Sequence, residues 1–166
     1  MDKIHWTPQA VEIRPFSMDD APALAAALDD LSISRWLSVV PHPYTLADAH
    51  EFLARPDIAA DAVLVDGHLV GAVGVAQRLG YWFIPQVWGQ GLASHVARQT
   101  VAKAFEETPT ATLKSGYFLG NDASARVLAK AGFREVSCGQ ARCHALDKHV
   151  RHVNMEATLA DWKAVQ

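Results

Sequence analysis

The sequence has little that would commit it to a specialised environment. Cysteine occurs only at Cys138 and Cys143 in 166 residues, too few for the disulfide framework of a small secreted domain. Long apolar runs are missing as well. The longest apolar helical stretch, Ala21–Leu28, is bracketed by Asp19-Asp20 and Asp29-Asp30, far short of the ~20 residues that span a bilayer. The first residues, Met1-Asp2-Lys3-Ile4-His5-Trp6, are charged and lack the apolar core of a signal peptide. A cytoplasmic location with no membrane partner is therefore expected. There are no repeats, low-complexity tracts or linkers, so residues 1–166 read as a single domain. Half of the residues are apolar, enough for a sizeable core.

Nucleic acid is not suggested either. The net charge is −3, and Trp6, Trp36, Trp82, Trp88 and Trp162 are too scattered for a base-stacking platform. They read as core and pocket lining. The charge is uneven, however. Residues 1–66 carry 11 Asp/Glu and 4 Lys/Arg, and residues 67–166 carry 7 and 11. A basic half suits a nucleotide with phosphates, and an acidic half suits a cationic acceptor. Helix caps and solvated faces falling unevenly would give the same counts. Cys138, Cys143, His144, His149 and His152 do not follow a standard zinc spacing, so no metal is expected.

What the chain does contain is the stretch from Gly80 to Ala93. Tyr81-Trp82-Phe83-Ile84 is an apolar run of strand character, and Pro85, which has no N–H for a ladder, ends it. Gly89 and Gly91 then frame Gln90. A helical pattern follows, with apolar or small residues at Leu92/Ala93, Val96/Ala97, Thr100/Val101 and Ala104/Phe105. A glycine turn feeding a helix N-terminus presents unpaired N–H groups beside the positive end of the helix dipole, which is a phosphate site. A dinucleotide fingerprint would need glycine at position 94, which is Ser94, and a P-loop would need Gly-Lys-Ser/Thr. What remains is Gln86-x-x-Gly89-x-Gly91.

Farther on, Asn121-x-x-Ser124-x-x-Val127-Leu128-x-Lys130-x-Gly132-Phe133 forms a second block, with room for one helix and one strand between. Upstream stand Ile13-Arg14-Pro15-Phe16, Asp19-Asp20-Ala21, Pro43-Tyr44-Thr45 and Asp48-Ala49. Together these blocks, from about Glu12 to Trp162, resemble the GNAT superfamily of N-acetyltransferases. The upstream blocks are similar to its ribosomal-protein N-acetyltransferase (RimJ/RimL-like) branch. The resemblance implies an α/β (α+β) fold: a mixed central sheet of six to seven strands, splayed between two parallel strands and flanked by about four helices. It implies acetyl-CoA as co-substrate and direct acetyl transfer to a primary amine, either a protein N-terminus or a small molecule. The acceptor is expected to be cationic and the protein a monomer or homodimer. An acyl-CoA-binding sensor without turnover is the competing reading.

By the same resemblance, backbone N–H groups of Val87, Trp88, Gly89, Gln90, Gly91, Leu92 and Ala93 hold the pyrophosphate, with Gln86 opening the loop. Tyr81, Trp82, Phe83 and Ile84 lie on the strand that pairs with the pantetheine arm, where a backbone N–H also serves the oxyanion. Lys130 belongs to the cofactor set. Asn121 and Ser124 are expected at the thioester and are the candidate catalytic pair. A purely structural role, with Asn121 or Asp122 as helix N-cap and Ser124 in the first turn, stays open. Many members carry a proton-donating tyrosine where this chain has Leu128, which leaves Ser124 or a water for that task. His95, where the branch usually has glutamate, reads as a surface residue. No general base is assigned, although His42, Asp48 and Glu51 lie on the presumed acceptor wall.

Locally, the patterns predict strands at 11–16, 62–65, 69–75, 80–84, 111–117, 133–138 and 151–159. They predict helices at 21–28, from Thr45 to about Leu53, from Leu92, and at 123–131. Ser17 or Asp19 should cap the first helix and Thr45 the second.

Overall fold

A computed structural model describes residues 2–76 and 78–166. Strand β1 (Val11–Pro15) leads to helices α1 (Ala21–Leu28), α2 (Leu31–Ser34) and α3 (Leu46–Leu53). Strands β2 (Asp61–Val65), β3 (His68–Val75) and β4 (Leu79–Phe83) follow, then the long helix α4 (Leu92–Glu107). The chain closes with β5 (Leu113–Phe118), α5 (Asp122–Lys130), β6 (Arg134–Cys143), β7 (Lys148–Ala157) and α6 (Leu159–Lys163).

The strands form two antiparallel sheets, ordered β1-β2-β3-β4 and β5-β7-β6. They touch where the Ser115 hydroxyl of β5 donates to the Leu79 carbonyl of β4 at 2.9 Å. The loops after β4 and after β5 line one cleft, so the two strands run the same way and part beyond that contact. The expected central sheet is thus divided at its splay into a four-stranded and a three-stranded piece.

Both faces are covered, because the strands carry apolar residues on both. On one side Val63, Val73, Leu79 and Phe83 pack with Val153 and Met155 against Leu92, Val96 and Val101 of α4 and Leu128 of α5. On the other, Leu24, Leu28 and Ala49 of α1 and α3 pack with Trp82 and Ile84. Asp66 and Gly67, at φ 48° and 77°, make the two-residue turn that joins β2 to β3, a conformation available at low cost to Asp-Gly.

Several boundaries differ from the local expectation. Six α-helices occur among the described residues rather than about four. The extra ones, α2 and α6, are short and cap-driven. The Asp30 side chain accepts from the Ser32 N–H at 2.8 Å, and Thr158 forms a capping box with Asp161. That box ends β7 at Ala157, so the last strand stops short of residue 159. β6 runs to Cys143 instead of residue 138. Its second half is mostly exposed, and pairing with β7 from Cys138↔Val153 to Cys143↔Lys148 holds it extended. No apolar alternation marks that half in sequence.

The entry to α1 rests on one ion pair. Arg14 at the end of β1 grips Asp20 through two 2.8 Å bonds, and the Ser17 N–H donates to the same carboxylate at 2.8 Å. Asp20 rather than Asp19 therefore completes the cap with Ser17. The Arg14 hydrogen bond holds the Asp20 carboxyl below its ordinary value, against the opposing effect of burial. Asp20→Ala should cost about 2–3 kcal/mol, under the full value of a buried pair because Arg14 is partly exposed. A depressed carboxyl stabilises above its unfolded pKa of about 3.9 and loses that contribution as pH falls through its folded value. Urea midpoints at pH 7 and pH 3 should therefore separate wild type from variant by more at pH 7 than at pH 3.

Candidate active site

The turn from β4 into α4 is shaped by backbone conformation. Gly91 caps α4 at φ 84°, in the left-handed region that glycine enters at little cost. A Cβ there would meet nothing within 4 Å, so conformation and not space demands the glycine. The first helical bond runs from the His95 N–H to the Gly91 carbonyl at 3.0 Å. The N–H groups of Leu92, Ala93 and Ser94 consequently have no helical acceptor, and all three residues line the cleft.

The loop carbonyls are engaged elsewhere. Lys3 Nζ donates to Trp88 O at 2.9 Å and Pro85 O at 3.2 Å. The Ile4 N–H donates to Gln86 O at 3.1 Å, and Trp6 Nε1 to Gln90 O at 3.1 Å. The Trp6 ring also packs on His95 at 5.1 Å. This corrects the surface reading of His95, whose Nε2 is buried. The N-terminal segment covers it, and nothing in the helix periodicity announces that cover.

The cleft encloses about 1100 Å³. Of the residues expected at the cofactor, Trp82, Phe83, Val87, Trp88, Gly89, Gly91, Leu92, Ala93, Asn121, Ser124 and Lys130 line it, joined by Arg126. Ile84, Gln86 and Gln90 lie off its wall. Gln90 Nε2 donates to Gln86 O at 2.9 Å, and the Ile84 N–H donates to Val70 O at 2.9 Å. That last bond sets the phase of the β3–β4 ladder. With Trp82 opposite Ala72 and Phe83 opposite Gly71, the backbone groups of Trp82 and Ile84 turn to β3, while those of Tyr81 and Phe83 turn to the gap. The strand edge open to a ligand is therefore narrower than expected, and Trp88 Nε1 already occupies Phe83 O at 2.6 Å.

Asn121 is the N-cap of α5, its Oδ1 accepting from the Ser124 N–H at 3.2 Å. The structural role left open for this pair is thus real. Ser124 has a second partner, though. Its Oγ lies 2.8 Å from the Tyr81 hydroxyl of β4. Burial pushes the Tyr81 phenol up to about 12, against a lowering by the Ser124 hydrogen bond. Leu128, where a tyrosine was missed, is fully buried. A phenol does stand at the cleft, but it comes from another element. Sequence reasoning overlooked Tyr81 because 43 residues separate it from Ser124. Tyr117 is committed to Glu135 at 2.7 Å, and that bond raises it to about 12.

A second cavity of about 560 Å³ opens on the α1/α3 face, lined by Phe16, Tyr44, Asp48, Glu51, Phe52 and Arg55 among others. It shares Leu37, Ser38, Arg78, Gly80, Tyr81 and Trp82 with the first. The two spaces meet at β4. Burial foremost, then Asp48 and Glu51, raise the Tyr44 phenol. Asp48 serves in the α3 cap, accepting from the Thr45 hydroxyl and N–H at 2.6 and 2.7 Å, which lowers its pKa. His42 faces Asp29 at 3.7 Å and lines neither cavity.

The acetyltransferase (GNAT) domain profile matches residues 10–134. The chain belongs to the GNAT acetyltransferase family. An uncharacterized N-acetyltransferase of Bacillus subtilis (strain 168), YoaA, is 33% identical over 75 residues, covering 40% of this chain and 42% of that protein. The match thus spans about two fifths of the curated relative. The ribosomal-protein-S5-alanine acetyltransferase from Vibrio fischeri shares the fold at TM-score 0.76 and 16% identity, over 96% of this chain and 99% of that one. So does AAC(6')-Ib in complex with ribostamycin and coenzyme A, at TM-score 0.76 and 18% identity, over 95% and 98%.

If Gly91 is demanded by its φ alone, Gly91→Ala should cost about 1–2 kcal/mol with no steric consequence. Gly80→Ala is the control, since Gly80 also has open space around its Cβ position but an ordinary φ. Its effect on the unfolding midpoint should be clearly smaller.

Proposed function

We propose that this protein is an acetyl-CoA-dependent N-acetyltransferase that moves an acetyl group directly to a primary amine in a ternary complex. The observation that carries this reading is the meeting of two cavities at β4, one with an anion-binding helix end and one reached from the opposite face. A donor in the first and an acceptor in the second would come together at Tyr81 and Trp82. The share of AAC(6')-Ib's fold is relevant here, since that protein is seen with coenzyme A and an aminoglycoside.

Acetyl-CoA would lie with its pyrophosphate on the N–H groups of Leu92, Ala93 and Ser94 and its remaining phosphate toward Arg126 and Lys130. The pantetheine arm would run along the free edge of β4, bonding Tyr81 and Phe83. An N–H turned into the gap there stabilises negative charge as the carbonyl becomes tetrahedral. The Tyr81–Ser124 hydroxyl pair then supports the departing sulfur. A phenol held near 12 stays protonated at neutral pH and donates to a thiolate without being lost to solvent. This pair favours turnover over passive cofactor binding, because binding alone needs no proton donor at the sulfur. Asp48 and Glu51 on the second cavity support a cationic acceptor, a peptide N-terminus or a small polyamine-like molecule, with the aromatic rings of Tyr44 and Phe52 to hold its body.

Two measurements test this. Ser94→Glu places a carboxylate in the first turn of α4, where it favours the helix but repels phosphate. The unliganded protein should keep or gain stability. Acetyl-CoA at a hundredfold excess over Kd should stabilise wild type by about 2.7 kcal/mol and leave this variant unshifted. An equal shift in both sinks the pyrophosphate site. Tyr81→Phe and Ser124→Ala should each lower kcat by roughly tenfold, less than the usual ~10²–10⁴-fold of proton-transfer assistance because a thiolate leaves easily, with acetyl-CoA affinity within a few-fold.

A further inference from the structure

A base for the amine is still unaccounted for among the residues on the acceptor side. The side chains of β7 alternate: Val153, Met155 and Ala157 enter the core, and His152 and Asn154 turn to the other face and line the cleft. The His152 ring lies over Gly116 of β5, the strand that borders the gap. A Cβ at position 116 would stand 2.3 Å from its Cε1 and 2.8 Å from its Nε2. Any larger residue there would displace the imidazole. Phe118, also on β5, holds the ring edge-on at 5.8 Å and 81°. A glycine under a ring and an aromatic beside it fix one imidazole on the wall of the larger cleft, which joins the second cavity at β4.

We propose that His152 is the group that accepts the proton of the attacking amine, an assignment that rests on the transferase reading. The amine nitrogen attacks the thioester carbonyl carbon. As the C–N bond forms and the C–S bond breaks, the C–S electron pair goes to sulfur and an N–H proton passes to the imidazole. The sulfur takes its proton from the Tyr81–Ser124 pair, and both sites then re-equilibrate with solvent. The two proton tasks fall to different strands that line the same cleft, and a phenol near 12 does not protonate an imidazole of lowered pKa. The groups packed about the ring support a neutral imidazole. Arg78, at the turn before β4, is the charged one; it bonds Ser115 O and Asn154 Oδ1. β5 offers Gly116 and Phe118, and β6 offers Gly139 opposite His152. Burial first and the Arg78 charge second lower the His152 pKa from its ordinary value near 6.5, against a raising by Asn154. At pH 7 the ring is free to accept a proton.

The experiment is the pH dependence of kcat at saturating amine. It uses whichever of a short free-N-terminus peptide, spermidine or an aminoglycoside gives the fastest CoA release. Wild type should lose rate on the acid side with a midpoint below about 6.5. His152→Gln should lower kcat by about 100-fold or more and abolish that limb, with the acetyl-CoA thermal shift intact. Arg78→Gln removes the nearby positive charge and should move the limb to higher pH. A purely structural histidine would move neither. If His152→Gln turns over within about threefold of wild type, or keeps the limb, the assignment is overturned while the transferase reading stands. If wild type releases no CoA with any amine, the transferase reading fails and takes this one with it. If His152→Gln does not fold, an unmoved limb in Arg78→Gln overturns the proposal by itself.

Discussion

Everything about the site depends on β4 and β5 meeting at one end and parting at the other. The Ser115–Leu79 bond closes the junction, and no ladder continues beyond it among the described residues. A backbone edge left without a partner is costly when buried, and here it is presented to a cleft instead. Tyr81 and Phe83 hold the groups that face the opening, because the β3–β4 register spends the alternate ones on β3. The separation also lets side chains from one face of the sheet approach those of the other. A continuous sheet would wall off the α1/α3 cavity from the α4/α5 cleft.

The proposed anion site is shaped by contacts outside the cleft. Donors from Lys3, Ile4 and Trp6 hold the carbonyls of Pro85, Gln86, Trp88 and Gln90. With those four oxygens engaged by donors, they compete less with the first N–H groups of α4 for a ligand. The positive φ of Gly91 completes the turn. The contacts between the first residues and residues 85–95 thus bear on the donor site, though those residues lie before the match to the family profile begins at position 10.

The proposed mechanism divides two proton tasks between different strands. Tyr81, Ser124 and His152 all line the α4/α5 cleft, and Tyr81 and Trp82 also line the cavity with Asp48 and Glu51. Thioester exchange needs one proton removed and one supplied. In that proposal, burial and local charge set each group separately. Tyr81 is raised by burial and stays protonated. His152 is lowered by burial and by Arg78 and stays neutral.

The sequence by itself determined the elements whose causes are local. The turn Gly89-Gln90-Gly91 before an apolar helix stripe, the Thr45/Asp48 cap, the Asp66-Gly67 hairpin and the Asn121 cap all lie within a few residues of what they control. The ordered blocks, through the family they resemble, brought the glycine loop and the start of α5 to one cleft and identified the fold. The tertiary structure decided what depends on distant pairing. β6 is extended to Cys143 only because β7 lies beside it, and His95 is covered only because Trp6 comes back over α4. Tyr81 meets Ser124 across 43 residues, and His152 finds its space over Gly116 across 36. A hydroxyl or an imidazole has the same local pattern whether it faces solvent or a cleft. Only the packing of the strands on either side of the β4–β5 gap assigns it a neighbour, a pKa and a task.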